Sequence, residues 1–128
     1  MAALLQLRLA VCIFFAVDVR GTTSVSFAKN FGSGIVLQRQ PALASFYGFA
    51  PASSAVTLTL RDANGGGTTK ETIETTASAE GHWKATLTKA YAAGGNYTAT
   101  ASGSGGSSTV LDDMTFGDVW YCALRVGV

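Results

Sequence analysis

The sequence predicts an all-β protein, an antiparallel β-sandwich of the immunoglobulin-like or jelly-roll-like kind. Three observations predict it. Apolar and polar residues alternate at period two, turn signals recur roughly every 10 to 15 residues, and no long amphipathic helical pattern follows residue 21. The composition agrees, because Gly is frequent (15 residues), Pro is rare (2 residues) and Thr recurs in the second half, which favours strands and turns over helices.

Three segments carry the clearest alternation. Their inward-facing residues are Val56, Leu58 and Leu60 in the first, Trp83, Ala85 and Leu87 in the second, and Tyr97, Ala99 and Ala101 in the third. Burial of one face is typical of antiparallel sheets that pack face to face. Segment 68–80 is polar on both faces apart from Ile73 and Ala77, so it is either an edge strand or a ragged loop.

Turn signals separate these segments. The stretch DANGGG contains Asn64-Gly65, a strong tight-turn signal between two strand-like runs. Three further turns are predicted at Ala50–Ser54, at Ala92–Gly95 and at Ser102–Ser108. The spacing of these turn signals therefore supports a sandwich of short strands.

The first residues predict a signal peptide. A lone Arg8 precedes the uncharged run Leu9–Val17, which matches a signal-peptide hydrophobic region and is too short to span a bilayer. Small residues at Val19 and Gly21 place the cleavage near Gly21. A buried strand or a short membrane anchor is the alternative. The expected organisation is a signal peptide at 1–21, helical in form, a β-sandwich domain at 22–122 and a divergent tail at 123–128.

Charge excludes some partners. The formal net charge is +1, and removal of residues 1–21 brings it to zero. Nucleic acid and anionic membrane surfaces both require a basic excess on one face. We therefore expect no nucleic-acid partner and no membrane span in the mature chain. The predicted route is the secretory pathway, so the protein is secreted or lysosomal.

Few residues could carry chemistry. His82 is the single histidine, and no serine lies in a Gly-x-Ser-x-Gly pattern, so a catalytic triad is not predicted and His82 is expected at a surface or strand end. Adjacent Asp112 and Asp113 should point to opposite faces of a strand, which argues against an acid–base pair with each other, and Asp118 follows nearby. One histidine and one distant cysteine do not make a zinc site. No catalytic, metal or cofactor-binding residue is assigned.

Cys122 is expected to lack a partner, because Cys12 lies in segment 1–21. It is either buried as a small hydrophobe, or its partner lies in sequence outside this chain. Asn96-Tyr97-Thr98 is an N-glycosylation sequon, and strand alternation would point Asn96 outward. Asn96 is therefore the predicted glycosylation site.

Aromatic side chains could form a platform that stacks on sugars. The candidates are Phe46, Tyr47, Trp83, Tyr97, Trp120 and Tyr121. Several of them alternate with polar residues in step with the core face, so core packing is the default expectation.

Four motifs in order resemble the opening of sialate O-acetylesterases. Residues 35–39 (IVLQR) with Pro41 resemble the first motif of that family, and residues 81–87 (GHWKATL) its Gly-x-Trp strand. Residues 94–101 (GGNYTATA) resemble its Gly-Gly-x-Tyr-Thr strand, and residues 116–122 (FGDVWYC) the strand that enters the catalytic domain. The motifs extend over residues 27–122. The resemblance implies an N-terminal β-sandwich that precedes an SGNH-type hydrolase domain.

The resemblance also implies an activity, hydrolysis of O-acetyl esters on sialic acids by a serine nucleophile, with sialylated glycans reached through that catalytic domain. In the family the strand continues into Gly-Gln-Ser-Asn. Here those positions hold Leu124, Arg125, Val126 and Gly127, so no catalytic residue carries over. An esterase needs a nucleophile, a base and oxyanion donors.

We therefore expect a non-catalytic, truncated sandwich that is inactive alone. The alternative is a secreted stand-alone module that binds carbohydrate or another partner. The first hypothesis predicts an apolar, poorly covered surface near Trp120, and the second predicts an exposed aromatic groove.

Overall fold

The computed structural model describes residues 24–120 and residue 122. Within these residues the chain forms eight strands and no helix. In chain order they are β1 (Ser26–Phe27), β2 (Val36–Gln38), β3 (Ser45–Phe49), β4 (Ala55–Asp62), β5 (Thr68–Thr76), β6 (His82–Thr86), β7 (Gly94–Gly103) and β8 (Ser108–Gly117).

The strands form two sheets that pack as a sandwich. One sheet has three strands in the order β1-β3-β6, and the other has five in the order β2-β8-β7-β4-β5. The predicted all-β sandwich is confirmed. One pairing departs from the antiparallel pattern, because β2 runs parallel to β8. The chain neighbours of β2 lie in the other sheet, so no hairpin turn fixes its direction.

The core lies between the two sheets and comes from the predicted alternation. The side chains of Val56, Leu58 and Leu60 are almost completely buried, and so are those of Trp83 and Leu87. Full burial of one large apolar side chain stabilises the fold by about 1.5–3 kcal/mol. The alternating segments therefore supply most of the large buried side chains.

Trp83 is the largest of these buried residues. Its indole Nε1 lies 3.2 Å from the carbonyl oxygens of both Ser26 and Phe49, and donates to them. Its ring meets the Phe27 ring edge-on at 5.6 Å. Because the one polar atom of the side chain has partners, burial of this tryptophan leaves no unsatisfied donor.

The predicted β4–β5 turn is confirmed and uses a side-chain cap. The Asp62 carboxylate accepts hydrogen bonds from the backbone N–H groups of Asn64 and Gly65 at 3.0 and 3.2 Å. Gly66 and Gly67 both have positive φ, which L-residues rarely adopt. The turn therefore closes through Asp62 and two left-handed glycines rather than through Asn64-Gly65 alone.

Segment 68–80 proves to contain an edge strand. β5 pairs with β4 on one side and ends the five-stranded sheet on the other. Ile73 is half-buried and Ala77 is buried, as their apolar character predicts. Glu71, two residues before Ile73, is buried as well, although its charge predicts exposure.

The prediction that Asp112 and Asp113 point to opposite faces is wrong. Both side chains are exposed, and Asp113 has a φ of 55°. The register between β7 and β8 shifts between Tyr97 and Ala99, at this point of the ladder. A left-handed residue in a bulge interrupts strict alternation, so consecutive side chains can both face solvent.

The predicted strand at the C-terminal end is too long. β8 ends at Gly117, and Asp118 to Trp120 lie outside it. The Asp118 carboxylate binds Arg39, and the Val119 N–H donates to Gln38 Oε1 at 3.3 Å. These side-chain contacts replace ladder hydrogen bonds, so the chain turns out of the sheet.

Cys122 is exposed and is a free thiol within the described residues, so the first of its two alternatives, burial as a small hydrophobe, is wrong. The predicted signal peptide at 1–21, the tail at 123–128 and Tyr121 lie outside the described residues. In the part of the chain that the structure describes, no helix is long and apolar enough to cross a bilayer.

Candidate docking surface

The residues that were candidates for catalysis lie apart in the fold. His82 begins β6 in the three-stranded sheet, and its ring meets the Phe49 ring at 5.3 Å in a T-shaped contact. Asp112 and Asp113 lie on β8 in the other sheet. Asp118 follows β8 and pairs with Arg39. Among the described residues, no group of three or more His, Cys, Asp and Glu side chains could hold a metal ion.

The buried carboxylate of Glu71 is saturated with donors. Its Oε1 accepts from the Thr88 N–H at 2.8 Å and from the Thr88 hydroxyl at 2.7 Å. Its Oε2 accepts from the Lys89 N–H at 3.3 Å and from the Tyr91 hydroxyl at 2.7 Å. Burial alone would raise the pKa of Glu71, but these hydrogen bonds lower it by more, so its pKa lies below the ordinary value. With both oxygens occupied, Glu71 holds the loop after β6 in place and offers no free base.

Sequence patterning could have identified Glu71. Glu71 lies an even number of residues from Ile73 and from Ala77, the two apolar residues of this segment. Strand alternation alone therefore places it on the same inward face. The charge of Glu71 predicts the opposite, because an ionised side chain is expected at the surface unless it has hydrogen-bond or ion-pair partners. Those partners come from a loop some 17 to 20 residues away in sequence.

Two tyrosines extend this cluster into the core. The Tyr91 ring stacks on Phe116 at 4.9 Å, and the Tyr97 ring meets Phe116 edge-on at 5.0 Å. Burial raises the pKa of the Tyr91 hydroxyl, and its hydrogen bond to Glu71 raises it further. Burial also raises the pKa of Tyr97, with a contribution from the Asp62 charge. Both hydroxyls therefore remain protonated at neutral pH.

Asn96 does not simply point outward as strand alternation predicts. The residue is half-buried, its Oδ1 is inaccessible and has no partner among the described residues, and its Nδ2 donates to Asp113 Oδ1 at 3.4 Å. Register shifts on either side of Tyr97 account for the difference. Glycosylation at Asn96 stays a prediction.

An apolar groove lies where the chain leaves β8. It has a volume of about 360 Å³, and its lining includes Ile35, Val36, Leu43, Tyr47 and Val119. Of these, Val36, Leu43 and Val119 have exposed fractions of 43%, 49% and 51%. Such values are high for aliphatic side chains that share one concave patch.

Trp120 follows Val119 in the chain, with 83% of its surface exposed. We call Val36, Leu43, Val119 and Trp120 the exit surface. The fragment hypothesis predicts an apolar, poorly covered surface near Trp120, and the exposure of Val119 and Trp120 agrees with that expectation.

The exit surface is held in position by polar contacts at its edge. The Arg39 guanidinium Nε lies 2.7 Å from Asp118 Oδ1. The Arg39 backbone N–H donates to the Gly117 carbonyl at 2.9 Å. Together with the bond between Val119 and Gln38, these contacts fix the exit of the chain beside β2.

The aromatic candidates divide between the core and the surface. Phe46 and Trp83 are buried and Tyr97 is half-buried, as core packing predicts. Tyr47 and Trp120 are exposed. Phe49 was not among the candidates and is exposed too. It lies two residues after Tyr47 in the stretch FYGF, so strand alternation places the two rings on the same face.

The comparisons with known proteins point to carbohydrate esterases. A carbohydrate acetylesterase from Xanthomonas citri has a similar fold, with a TM-score of 0.63 and 28% sequence identity over 75% of this chain. No protein-family model and no curated protein matches the chain. The structural similarity supports a relation to carbohydrate esterases, of which this sandwich resembles one module.

The chain spans only a fifth of the Xanthomonas citri enzyme, since the match covers 20% of that protein. The similarity therefore concerns one sandwich within a much larger molecule.

Proposed function

We propose that this chain is the non-catalytic β-sandwich of a sialate O-acetylesterase-like protein. The observation that carries the proposal is the structural similarity to a carbohydrate acetylesterase over 75% of the chain. The ordered motifs within residues 27–122 support the finer assignment to the sialate family, whose activity would be hydrolysis of O-acetyl esters on sialic acids.

The separation of the candidate catalytic side chains supports a non-catalytic role. Acyl transfer requires a nucleophile within hydrogen-bond reach of a base, and the base must in turn be oriented by a third group. The His82 ring lies against Phe49, and Asp118 is engaged by Arg39. Glu71 has both carboxylate oxygens occupied. The reaction would therefore belong to a separate catalytic domain.

The exit surface supports a docking role for the sandwich. Val119 lines the groove together with Val36 and Leu43, and the exposed Trp120 follows Val119 in the chain. A catalytic domain joined to or paired with this sandwich would cover these side chains and gain about 25 cal/mol for each Å² of apolar surface that it buries.

An esterase assay tests the non-catalytic role. The purified chain should release no acetate from O-acetylated sialic acid or from p-nitrophenyl acetate above a heat-killed control. The same assay on the Xanthomonas citri acetylesterase provides the positive control on the general ester. Any reproducible turnover by the purified chain would refute the proposal.

We also propose that the protein enters the secretory pathway. The apolar run at residues 9–17 and the sequon at Asn96 support this route. Expression in a eukaryotic secretory host should yield a product that starts near residue 22 and loses mass on treatment with a glycosidase that removes N-linked glycans. The variant Asn96→Gln should show no such loss. A product that retains residues 1–21 would overturn the signal-peptide assignment.

The second candidate function is a secreted module that binds carbohydrate without a catalytic partner. It is favoured by the exposed rings of Tyr47 and Phe49, which strand geometry places on the outer face of the three-stranded sheet. The two functions use neighbouring surfaces that meet at Tyr47, which also lines the apolar groove.

A further inference from the structure

The outer face of the three-stranded sheet presents two aromatic rings. Tyr47 and Phe49 alternate with the buried residues Phe46 and Gly48 along β3, so they share the outward side. Their exposed fractions are 42% and 38%. Residues two apart on a strand are separated by about 7 Å, so the two rings form a short row rather than a single cluster.

Polar side chains lie beside this row, in the pairs that β3 forms with β6. On β6, Lys84 lies directly opposite Tyr47 and His82 directly opposite Phe49. Ser45 and Thr86 form the next pair, with their hydroxyl oxygens 2.8 Å apart. Directly opposite residues of an antiparallel pair project from the same face. We call Tyr47, Phe49, His82 and Lys84 the platform.

Local contacts fix the orientation of both rings. The Asn30 amide donates to the Tyr47 hydroxyl at 2.7 Å, and the Phe31 ring meets the Tyr47 ring edge-on at 4.9 Å. The Phe49 ring is held by its T-shaped contact with His82. A surface whose rings are already positioned loses little side-chain entropy when it binds a ligand.

The platform has the composition of a ligand site rather than of a core face. The fold buries the other side of the same strands, through Phe46, Trp83 and Ala85, and does not need the outer rings for that core. Aromatic faces accept the apolar C–H face of a pyranose ring, while amide, hydroxyl and ammonium groups beside them bind its hydroxyls. Lys84, directly opposite Tyr47, adds a positive charge to this face, which complements a carboxylate.

We propose that the platform binds a glycan that contains an acidic pyranose sugar, with the ring stacked on Phe49 and Tyr47 and the carboxylate paired with Lys84. This binding rests on the second candidate function and names its ligand class, and it does not depend on docking at the exit surface. Tyr47 borders both surfaces, since it also lines the apolar groove. Phe49 and Lys84 belong to the platform alone and are the positions that discriminate between the two.

An NMR titration of the isotopically labelled full chain tests the proposal. The two probes are sialyllactose and lactose, which differ by one acidic sugar. Sialyllactose should shift the amide signals of β3 and β6 and bind more tightly than lactose. The change Phe49→Leu keeps an apolar side chain but removes the ring face, and should raise the Kd for sialyllactose about tenfold. Lys84→Gln should lower the affinity for sialyllactose to that for lactose, while the affinity for lactose stays unchanged.

Val110→Ser is the matched control. Val110 is an exposed apolar residue of the other sheet, and this change should leave both affinities as they are. If Phe49→Leu unfolds at the same temperature as the parent chain, its weaker binding is due to loss of the ring and not to loss of the fold.

The proposal is overturned if neither probe shifts any signal at millimolar concentration, if the shifts fall outside β3 and β6, or if Phe49→Leu binds as the parent does. It is also overturned if a catalytic domain buries Phe49 and Lys84, because the platform would then be an interface. Failure of docking at the exit surface leaves the titration result intact, so the two proposals fail separately.

Discussion

At Glu71 four donors meet one carboxylate, and two of them are backbone N–H groups that cannot rotate away or accept a hydrogen bond. The side chain joins the edge strand β5 to the loop that follows β6. Protonation would place an O–H against these donors. Because hydrogen bonding lowers the folded-state pKa despite burial, the carboxylate contributes stability that is fully present above its unfolded value of 4.5. This contribution is lost as the pH falls through the folded-state pKa.

We predict that Glu71→Gln destabilises the protein at neutral pH by about 1–3 kcal/mol, because the amide nitrogen must face the N–H of Thr88 or of Lys89 in either orientation. It should also flatten the fall in unfolding free energy below pH 4.5. Urea unfolding at a series of pH values measures both effects. Glu74→Gln, the same change at an exposed position of the same strand, should alter neither. An equal loss in the two variants would mean that the network around Glu71 contributes nothing.

At the scale of the element, strands were predicted well where alternation is strict and poorly where it is broken. β4 is paired on both sides and carries Val56, Leu58 and Leu60. Alternate positions along it therefore face the core, and alternation alone predicts which residues are buried. Asn96 and Asp113 flank the register shifts of β7 and β8. A bulge depends on how two distant strands fit together, and a single segment carries no signal for it.

The two surfaces were also predicted only in part. Trp120 was expected near an apolar surface from its place in the sequence, and the structure confirms that it is exposed. Val36 is brought there by the parallel pairing of β2 with β8, and Leu43 lies in the segment that joins β2 to β3. The platform depends likewise on the register of β3 against β6. Pairing across the sequence is a tertiary property, so neither surface could be assembled from local patterns alone.

The contact between β1 and β3 depends on one glycine. A Cβ at Gly48 would overlap the carbonyl oxygen of Ser26 and would lie 2.8 Å from the Phe27 Cα. Both obstacles are backbone atoms, so neither can move aside as a flexible side chain would. The close approach also brings the Ser26 carbonyl to the Trp83 indole.

We predict that Gly48→Ala displaces β1 and destabilises the protein by at least about 1–3 kcal/mol, the usual cost of overpacking. The thermal midpoint should fall, and the Trp83 fluorescence should shift to the red as its ring gains contact with water. Gly32→Ala is the control, since a Cβ there meets nothing within 4 Å and should change the midpoint little. If Gly48→Ala unfolds at the parent temperature, the strand contact is not as tight as the structure has it.

On the scale of the whole molecule, the sandwich turns two surfaces of different chemistry to solvent. The exit surface is apolar and lies where the chain leaves the five-stranded sheet, at Val119 and Trp120. The platform is mixed aromatic and polar and belongs to the three-stranded sheet, where Tyr47 is paired with Lys84 and Phe49 with His82. An apolar surface suits a protein partner, and a row of rings with polar neighbours suits a sugar. An esterase module with both would offer a catalytic domain and a glycan two neighbouring surfaces that meet at Tyr47.

The two tryptophans of the protein make docking at the exit surface measurable. Trp83 is 2% exposed and Trp120 is 83% exposed, so iodide should quench Trp120 selectively in the free chain. We predict that a carbohydrate esterase catalytic domain, for example the Xanthomonas citri acetylesterase with its matching segment deleted, protects Trp120 from iodide and shifts its emission to the blue. The physical reason is that docking transfers the indole ring from water to an apolar contact.

Two variants separate docking from non-specific adsorption in this experiment. Val119→Ser, in the exit surface, should raise the concentration of domain needed for half-maximal protection about tenfold, because one buried aliphatic side chain is lost. Val110→Ser, with an exposed fraction of 47% against 51% for Val119, removes a similar side chain near the opposite end of β8 and should have no effect. Equal effects of the two changes, or no protection of Trp120 at saturating domain, would mean that the exit surface is not where a catalytic domain binds.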